Sequence, residues 1–105
     1  MGKRIGQVVI ALNEGAMAKR PLWPEGDFIF CQVPATIPRS VVPGMQSLPQ
    51  AVKDEFERRF EDEAQQIDAI YYAHQIAYVN SSNLIVGYSP SIEDLQAEDW
   101  IIHNI

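Results

Sequence analysis

IYYAHQIAYVNSSNLIVGY, residues 70–88, is the segment from which the fold class follows. Aromatic and β-branched residues are frequent at positions 70–79 and 84–88, and such residues favour strands. The polar cluster at 80–83, Asn-Ser-Ser-Asn, is typical of a turn. Two strands separated by a short turn predict an antiparallel hairpin.

A helix is predicted upstream of this hairpin, over residues 49–66. Nine of the eleven residues at 53–63 are charged, while apolar residues return every three or four positions, as on one face of a helix. These apolar residues are Val52, Phe56, Phe60, Ala64 and Ile67. The charged residues are interpreted as a solvated helix face rather than a binding surface.

Local signals define the start and the surface of that helix. Ser47 precedes Gln50 by three residues, which is the spacing of a capping box. Acidic residues also precede basic ones by four positions, an arrangement that stabilises a helix by about 0.2–0.5 kcal/mol per pair. The predicted ion pairs are Asp54–Arg58 and Glu55–Arg59.

A second, shorter helix is predicted near the start of the chain. Ile5, Val8, Val9 and Leu12 recur at i, i+3, i+4 and i+7, which places them on one helix face. Gly15 follows them in the position of a C-cap glycine. The sequence therefore predicts a helix that ends just before Gly15.

The segment between the two helices predicts strands and turns. Strands are expected at 17–20 and at 28–33, because both are rich in apolar residues and bounded by turn residues. The prolines and the glycine at 21–26 predict a turn between them. Four prolines and one glycine at 34–49 predict irregular structure.

The end of the sequence predicts one helical turn and a last strand. Ser91 is expected to be an N-cap with Asp94 at the third helical position, and residues 100–102 are expected to form a strand. The predicted fold class is α+β: a small antiparallel sheet with one short N-terminal helix and one longer inserted helix. Residues 1–105 are predicted to be a single ligand-sequestering domain.

The distribution of charge limits the classes of ligand. The net charge is −6, with +2 over residues 1–44 and −8 over residues 45–105. Binding of polymeric nucleic acid needs many phosphate contacts, so an acidic chain without a basic stripe is not expected to bind it. A small phosphate-bearing ligand needs only one or two cations and remains compatible with this sequence.

Composition points to a cytoplasmic protein that self-associates. No run of 18 apolar residues exists, so no membrane span is predicted, and no signal-peptide pattern is present. Cys31 is the only cysteine, which suits a reducing compartment. Two Trp, four Tyr and four Phe are a heavy apolar load for 105 residues, and association of copies would help to cover it.

No motif in the sequence assembles a catalytic or metal site. Cys31 and His74 form a formal nucleophile–base pair, but Cys31 lies in an apolar run, where an inert buried thiol is expected. His74 is expected on a strand, partly buried. We therefore predict no enzyme activity, no catalytic residue, no metal and no cofactor.

Aromatic residues beside polar groups are the remaining candidates for a binding site. A planar base can stack on such rings, and an arginine can bind a phosphate through two hydrogen bonds. The alternative is that Trp23 and Trp100 are core residues. The candidates are Arg20, Trp23, Tyr88, Ser89, Ser91 and Trp100.

The two ends of the chain resemble one known family. The opening has Gly15, Arg20 and Trp23 in a G-x(4)-R-x-x-W pattern, followed by Phe28, and residues 89–100 read SPSIEDLQAEDW. Together these segments resemble the phage Thoeris anti-defence proteins of the second type. The middle of the chain, with the charged helix, looks like an insertion relative to shorter members.

The resemblance implies a sponge rather than an enzyme. Members of that family bind the glycocyclic ADP-ribose signal of Thoeris and hold it intact, and some relatives capture cyclic dinucleotides of the CBASS pathway at a separate site. They are homo-oligomers, typically tetramers, with ligand pockets between subunits, and they act in the cytoplasm of the infected bacterial host cell. The predicted ligand-binding residues are Arg20, Trp23, Phe28, Tyr88, Ser89, Ser91, Asp99 and Trp100.

Two alternatives stay open at this point. One is a structural or regulatory phage protein that binds a protein partner and no small molecule. The other is a small hydrolase that degrades the signal. For Asp99, a hydrogen bond from a ribose hydroxyl is weighed against a structural bond from a hydroxyl or a backbone amide, because a carboxylate would repel a pyrophosphate.

Overall fold

A computed structural model describes residues 2–104. The chain divides into two compact units, of which unit 1 comprises residues 1–33 with 74–105 and unit 2 comprises residues 34–73. Three α-helices, a five-stranded antiparallel sheet and a two-stranded sheet make the described residues an α+β protein. The predicted fold class is therefore confirmed, and the single ligand-sequestering domain stays a prediction.

Unit 1 is built on the five-stranded sheet. The strand order is β6-β5-β2-β1-β7, and every neighbouring pair is antiparallel. An isolated bridge between Lys3 and Trp100 extends the pairing beside β7. The elements of this unit are α1 (Ile5–Asn13), β1 (Met17–Lys19), β2 (Phe28–Gln32), β5 (Gln75–Val79), β6 (Ile85–Gly87), α3 (Ile92–Gln96) and β7 (Ile101–His103).

Helix α1 covers the core face of that sheet. Val8 and Leu12 are buried one turn apart and pack with Ala18, Ile29 and Trp100 in one apolar cluster. The backbone N–H groups of residues 15 and 16 bond the carbonyls of residues 12 and 11, and residue 15 has φ +97°. These bonds close a Schellman motif, which favours glycine at the residue of positive φ, so the predicted helix end is confirmed.

The hairpin predicted from residues 70–88 is confirmed in its second half. β5 pairs with β6 across the turn at 80–83, where Asn80 Oδ1 accepts hydrogen bonds from the backbone of Ser82 and Leu84. The single strand expected at 70–79 is wrong, because the chain leaves one sheet and enters another at residues 73–74. His74 lies at this break and is exposed, rather than partly buried on a strand.

Unit 2 has its own small core and a two-stranded sheet. Its elements are β3 (Ala35–Pro38), a 3-10 helix (Val42–Gly44), α2 (Gln50–Phe60) and β4 (Ala69–Tyr72). Val42, Phe60 and Ile70 are its buried apolar cluster. The expectation of irregular structure at 34–49 is wrong in part, since β3 pairs with β4 and proline is tolerated at the edge of a sheet.

The charged helix is shorter than predicted and starts without the predicted cap. Pro49 is the N-cap and no side chain caps it, so the expected role of Ser47 is wrong. The helix ends at Phe60, where Asp62 accepts a hydrogen bond from the backbone of Ala64 and so favours a turn.

One of the two predicted ion pairs on α2 forms. Glu55 pairs with Arg59 at 2.8 Å, as predicted, and also with Arg58. Asp54 instead accepts a hydrogen bond from Gln50, so the predicted pair with Arg58 is wrong. Hydrogen bonds from Arg58 and Arg59 lower the pKa of the Glu55 carboxyl to about 2.

Helix length in the described part of the chain bears on membrane insertion. None of the helices within residues 2–104 has both the length and the apolar character needed to cross a bilayer.

Candidate functional site

A buried arginine joins the start of the five-stranded sheet to the end of the chain. Arg20 follows β1 directly and is 8% exposed. Its Nη1 lies 3.1 Å from Asp94 Oδ1 on α3, and its Nε lies 3.3 Å from Asp99 Oδ1 in the loop before β7. Two carboxylates therefore share one guanidinium, and the three groups together carry a net charge of −1.

Asp94 is the residue on which this arrangement depends. Its Oδ2 accepts a hydrogen bond from the Tyr88 hydroxyl at 2.7 Å, and its backbone carbonyl accepts one from Trp100 Nε1 at 3.1 Å. Burial opposes ionisation of Asp94, but hydrogen bonds from Tyr88, Arg20 and the Ser91 backbone outweigh it and lower the pKa of this carboxyl. Asp94 is therefore held as an anion inside the fold.

The local sequence explains why Asp94 can be held in this way. Ser91 Oγ accepts a hydrogen bond from the Asp94 backbone N–H, and the Asp94 side chain accepts one from the Ser91 backbone, so the predicted capping box is confirmed. Because α3 has only five residues, this box defines most of its geometry. The same carboxylate thus caps α3 and binds Arg20.

Four aromatic rings pack around this ion pair. Trp23 lies in the turn between β1 and β2, and its ring centroid is 5.0 Å from that of Tyr78, 5.3 Å from that of Trp100 and 6.0 Å from that of Tyr88. Trp100 is 1% exposed and Trp23 is half-buried. We call Trp23, Tyr78, Tyr88 and Trp100 the aromatic cluster.

The tyrosines of this cluster keep their protons to unusually high pH. Burial, together with the hydrogen bond that Tyr78 donates to Asp27, raises the pKa of Tyr78 to about 12. Burial and the bond to Asp94 likewise raise the pKa of Tyr88. Both hydroxyls therefore act as hydrogen-bond donors throughout the physiological range.

Asp99 is the member of the ion-pair network that reaches solvent. Its side chain is 51% exposed, and it lines a groove of about 710 Å³ between α1 and β7, which we call the α1–β7 groove. The structural partner of Asp99 is Arg20, not the hydroxyl or backbone amide that was expected. The other polar residues of the groove are Lys3, Gln7, Glu14, Glu98 and Asn104.

The structure brings together most of the predicted ligand-binding residues. Arg20, Trp23, Tyr88, Ser91, Asp99 and Trp100 belong to one connected set of contacts around Asp94. Ser89 is exposed in the loop before α3. Phe28 is on β2, where it packs beside Phe30 at a ring-centroid distance of 6.4 Å, away from the aromatic cluster. Ligand contact by these eight residues stays a prediction.

Three residues of the site were missed from the sequence. Asp94 was recognised as a capping residue, but no local signal links it to an arginine 74 positions away. Tyr78 was assigned only to a strand, and Asp27 was given no role beyond its charge. All three are polar groups in apolar surroundings, which is a property of the fold rather than of the local sequence.

The comparison with known proteins identifies a family. A family model described as the Thoeris anti-defense 2-like domain matches residues 4–103. The match spans both sequence segments that carried the resemblance, as well as the residues between them. No curated protein matches the chain.

Proposed function

Because the chain belongs to the family of the Thoeris anti-defense 2-like domain, we propose that it sequesters a nucleotide immune signal without cleaving it. The proposed ligand is glycocyclic ADP-ribose, with cyclic dinucleotides of CBASS as a second class of signal. The proposed place of action is the cytoplasm of an infected bacterium, where such signals are made. A phage protein of this kind needs tight binding and no chemical step.

The observation that carries the proposal is the half-exposed carboxylate of Asp99 in the α1–β7 groove. A volume of about 710 Å³ lies in the range of small-molecule sites. Arg20 holds Asp99 from the core side, so the carboxylate needs little reordering to accept a hydrogen bond from a ribose hydroxyl. Lys3 supplies a cation for the pyrophosphate, and Gln7 and Asn104 supply amide donors.

Arg20 has a different role in this proposal from the one first expected. Its guanidinium already faces two carboxylates, so it positions Asp99 rather than binding a phosphate itself. Trp100 lines the groove, and Trp23 packs against Trp100 without lining the groove itself. Direct contact of either ring with the adenine remains part of the proposal.

Two measurements test the proposal together. The protein is incubated with glycocyclic ADP-ribose, denatured, and the released ligand is identified by mass spectrometry. We expect intact ligand, whereas an altered product would indicate a hydrolase. Titration of Asp99→Asn is expected to show a loss of about 1.5–3 kcal/mol in binding free energy, the range for hydrogen bonds to charged groups.

Glu98→Gln is the matched control for that titration. Glu98 lines the same groove, but it pairs with the exposed Arg4 rather than with Arg20. We expect its substitution to change affinity less than Asp99→Asn does. Equal affinity of wild type and Asp99→Asn, with unchanged melting, would contradict the role of Asp99.

We also propose that the protein is a homo-oligomer, as a tetramer with the ligand between copies. The support is the family membership, together with large apolar residues that stay exposed on one chain, such as Ile10 at 63% in the α1–β7 groove. Light scattering at micromolar concentration should return about four times the chain mass of 11.8 kDa. A particle of about 12 kDa would overturn this part.

One observation favours an alternative function. Trp100 is almost fully buried and bonded to Asp94, as expected if the tryptophans serve the core and the protein acts through a protein partner. The incubation experiment separates the two functions, because an interaction protein would capture no signal.

A further inference from the structure

The loop that carries Asp99 is held at two places. Arg20 binds the carboxylate from the core side, with Nε 3.3 Å from Oδ1. The start of the chain makes the second set of contacts, because residues 2–4 run beside residues 98–100. The proposed function gives a role to Arg20 and to the Lys3 side chain, but none to the backbone of this first segment.

Two backbone hydrogen bonds join the segments. The Lys3 N–H donates to the Trp100 carbonyl at 3.2 Å, and the Trp100 N–H donates to the Lys3 carbonyl at 3.1 Å. Such a reciprocal pair places the two Cα atoms about 5.5 Å apart. The Trp100 ring is buried and donates a hydrogen bond to the Asp94 carbonyl. Residue 3 is therefore tied to the core through Trp100.

Gly2 lies so close to the Asp99 backbone that a side chain does not fit between them. A Cβ at Gly2 would overlap the Glu98 carbonyl oxygen and lie 2.6 Å from Asp99 Cα. Both obstacles are backbone atoms, so rotation of a side chain cannot relieve the overlap. A glycine at such a place permits a close approach of two backbones. Gly2 thus determines how near residues 98–99 lie to the start of the chain.

A third contact between the segments is an ion pair at the surface. Arg4 Nη2 lies 2.5 Å from Glu98 Oε1, and both side chains are more than 60% exposed. Exposed pairs contribute about 1 kcal/mol or less. The backbone approach at Gly2 and the bridge at Lys3 are therefore the contacts that place the loop.

The position of the Asp99 carboxylate depends on its Cα as well as on Arg20. The side chain is 51% exposed, and Arg20 contacts only its Oδ1. With the Cα placed by Gly2 and Oδ1 placed by Arg20, the second oxygen has few positions left. A group that is held in its binding geometry loses less entropy when the ligand binds.

We propose that Gly2 is a positioning residue for the α1–β7 groove, because its close approach to residues 98–99 holds the Asp99 carboxylate where a ligand hydroxyl binds. This role rests on the proposed function, since it concerns the same site. A Cβ at Gly2 would point at the backbone of residues 98–99. Its effect on the ligand is therefore exerted through Asp99.

An NMR measurement tests this role without a ligand. Arg20 Nε–H donates to Asp99, whereas Arg20 Nη1 binds Asp94, so the Nε–H signal reports the position of the Asp99 carboxylate. In Gly2→Ala we expect this signal to shift and the proton to exchange with water several-fold faster, as in Asp99→Asn. Gly6→Ala is the matched control, because the Cβ position of residue 6 has open space around it in the described part of the chain.

Titration with glycocyclic ADP-ribose measures the consequence for binding. Gly2→Ala should weaken binding by about tenfold in the folded protein, as expected when one hydrogen bond to a charged group is lost. In an Asp99→Asn background the same substitution should change affinity by less than about twofold, because the carboxylate that it displaces is already gone. Lys3→Gln, which removes a proposed phosphate contact, should lower affinity by the same factor in both backgrounds.

Two results would overturn the positioning role. One is an unchanged Arg20 Nε–H signal in Gly2→Ala, and the other is an equal loss of affinity in the two backgrounds. If wild type captures no signal molecule, the proposed function fails, while the Arg20 signal still shows whether Gly2 positions Asp99.

Hydrogen exchange on the wild type replaces these tests if Gly2→Ala does not fold. Saturating glycocyclic ADP-ribose should then slow exchange of the Lys3 and Trp100 amide protons more in wild type than in Asp99→Asn, because a ligand that needs a positioned carboxylate stabilises the contacts that position it. Equal slowing in the two proteins would contradict the role of Gly2.

Discussion

Arg20 and Asp94 lie 74 positions apart in the sequence and 3.1 Å apart in the fold, both largely buried. Removing one partner of a buried ion pair leaves the other charge without compensation, which typically costs about 3–5 kcal/mol. Arg20→Gln should therefore lower the free energy of unfolding by an amount in this range, measured by urea denaturation.

The control for this prediction is Arg4→Gln. Arg4 also pairs with an acidic residue, Glu98, but both side chains are more than 60% exposed. Exposed pairs contribute about 1 kcal/mol or less, so this variant should unfold close to wild type. Similar losses of unfolding free energy in the two variants would show that the contribution of the Arg20 pair to stability does not come from its burial.

Trp23→Ala tests whether this ring serves the ligand as well as the fold. Trp23 contacts three other rings, and truncation of a large core aromatic costs about 3–5 kcal/mol. We expect a loss at or below the lower end of that range, because Trp23 is half-buried. Affinity of the folded variant for glycocyclic ADP-ribose should fall at least about tenfold; unchanged affinity would assign Trp23 to the core alone.

Alkaline pH should weaken the fold through Tyr78. Its pKa is raised to about 12 in the folded chain, against about 10 for an unfolded tyrosine. The stabilisation is therefore complete below about pH 10 and is lost as pH rises from about 10 to 12, where the unfolded chain releases the proton first. The free energy of unfolding, measured by urea denaturation, should be lower at pH 11 than at pH 9. In Tyr78→Phe this difference between the two pH values should be smaller.

Gly2→Ala and Gly6→Ala should have opposite effects on stability. A Cβ at residue 2 would overlap the Glu98 carbonyl oxygen and lie 2.6 Å from Asp99 Cα, so the backbone would have to shift and the bridge between Lys3 and Trp100 would weaken. Residue 6 is in α1 with open space around it, where alanine is favoured by about 0.5–1 kcal/mol. Thermal unfolding should show a lower melting temperature for the first variant and an equal or higher one for the second.

Three elements that depend only on neighbouring residues were predictable from the sequence, although the Ser47 cap and the Asp54–Arg58 pair, which are equally local, were not. The end of α1 at Gly15, the turn at 80–83 and the Ser91 cap of α3 each require only residues within about five positions. Each of these elements is stabilised by a specific backbone or side-chain hydrogen bond. Donor and acceptor are close in the sequence, so a short segment contains all the information that is needed.

Elements that depend on distant partners were not predictable in this way. β3 forms because Ala35 to Pro38 find β4 more than thirty residues later, despite prolines at and beside its ends. Likewise, Arg20 looked like a free phosphate ligand until Asp94 and Asp99 were placed beside it. Trp23, Tyr88 and Trp100 were identified from the sequence as site residues, but Tyr78 and the carboxylates to which the two tyrosines bond, those of Asp27 and Asp94, were not.

The strand order β6-β5-β2-β1-β7 has a consequence for synthesis on the ribosome. β3 pairs with β4, and the apolar cluster that α2 covers also comes from residues 34–73. This segment can therefore fold while the chain is still growing. β1 and Arg20 are made well before their partners β7, Asp94 and Asp99. This edge of the sheet therefore stays unpaired while the roughly seventy residues between Arg20 and Asp94 are synthesised, and its closing on β7 is a late step of folding.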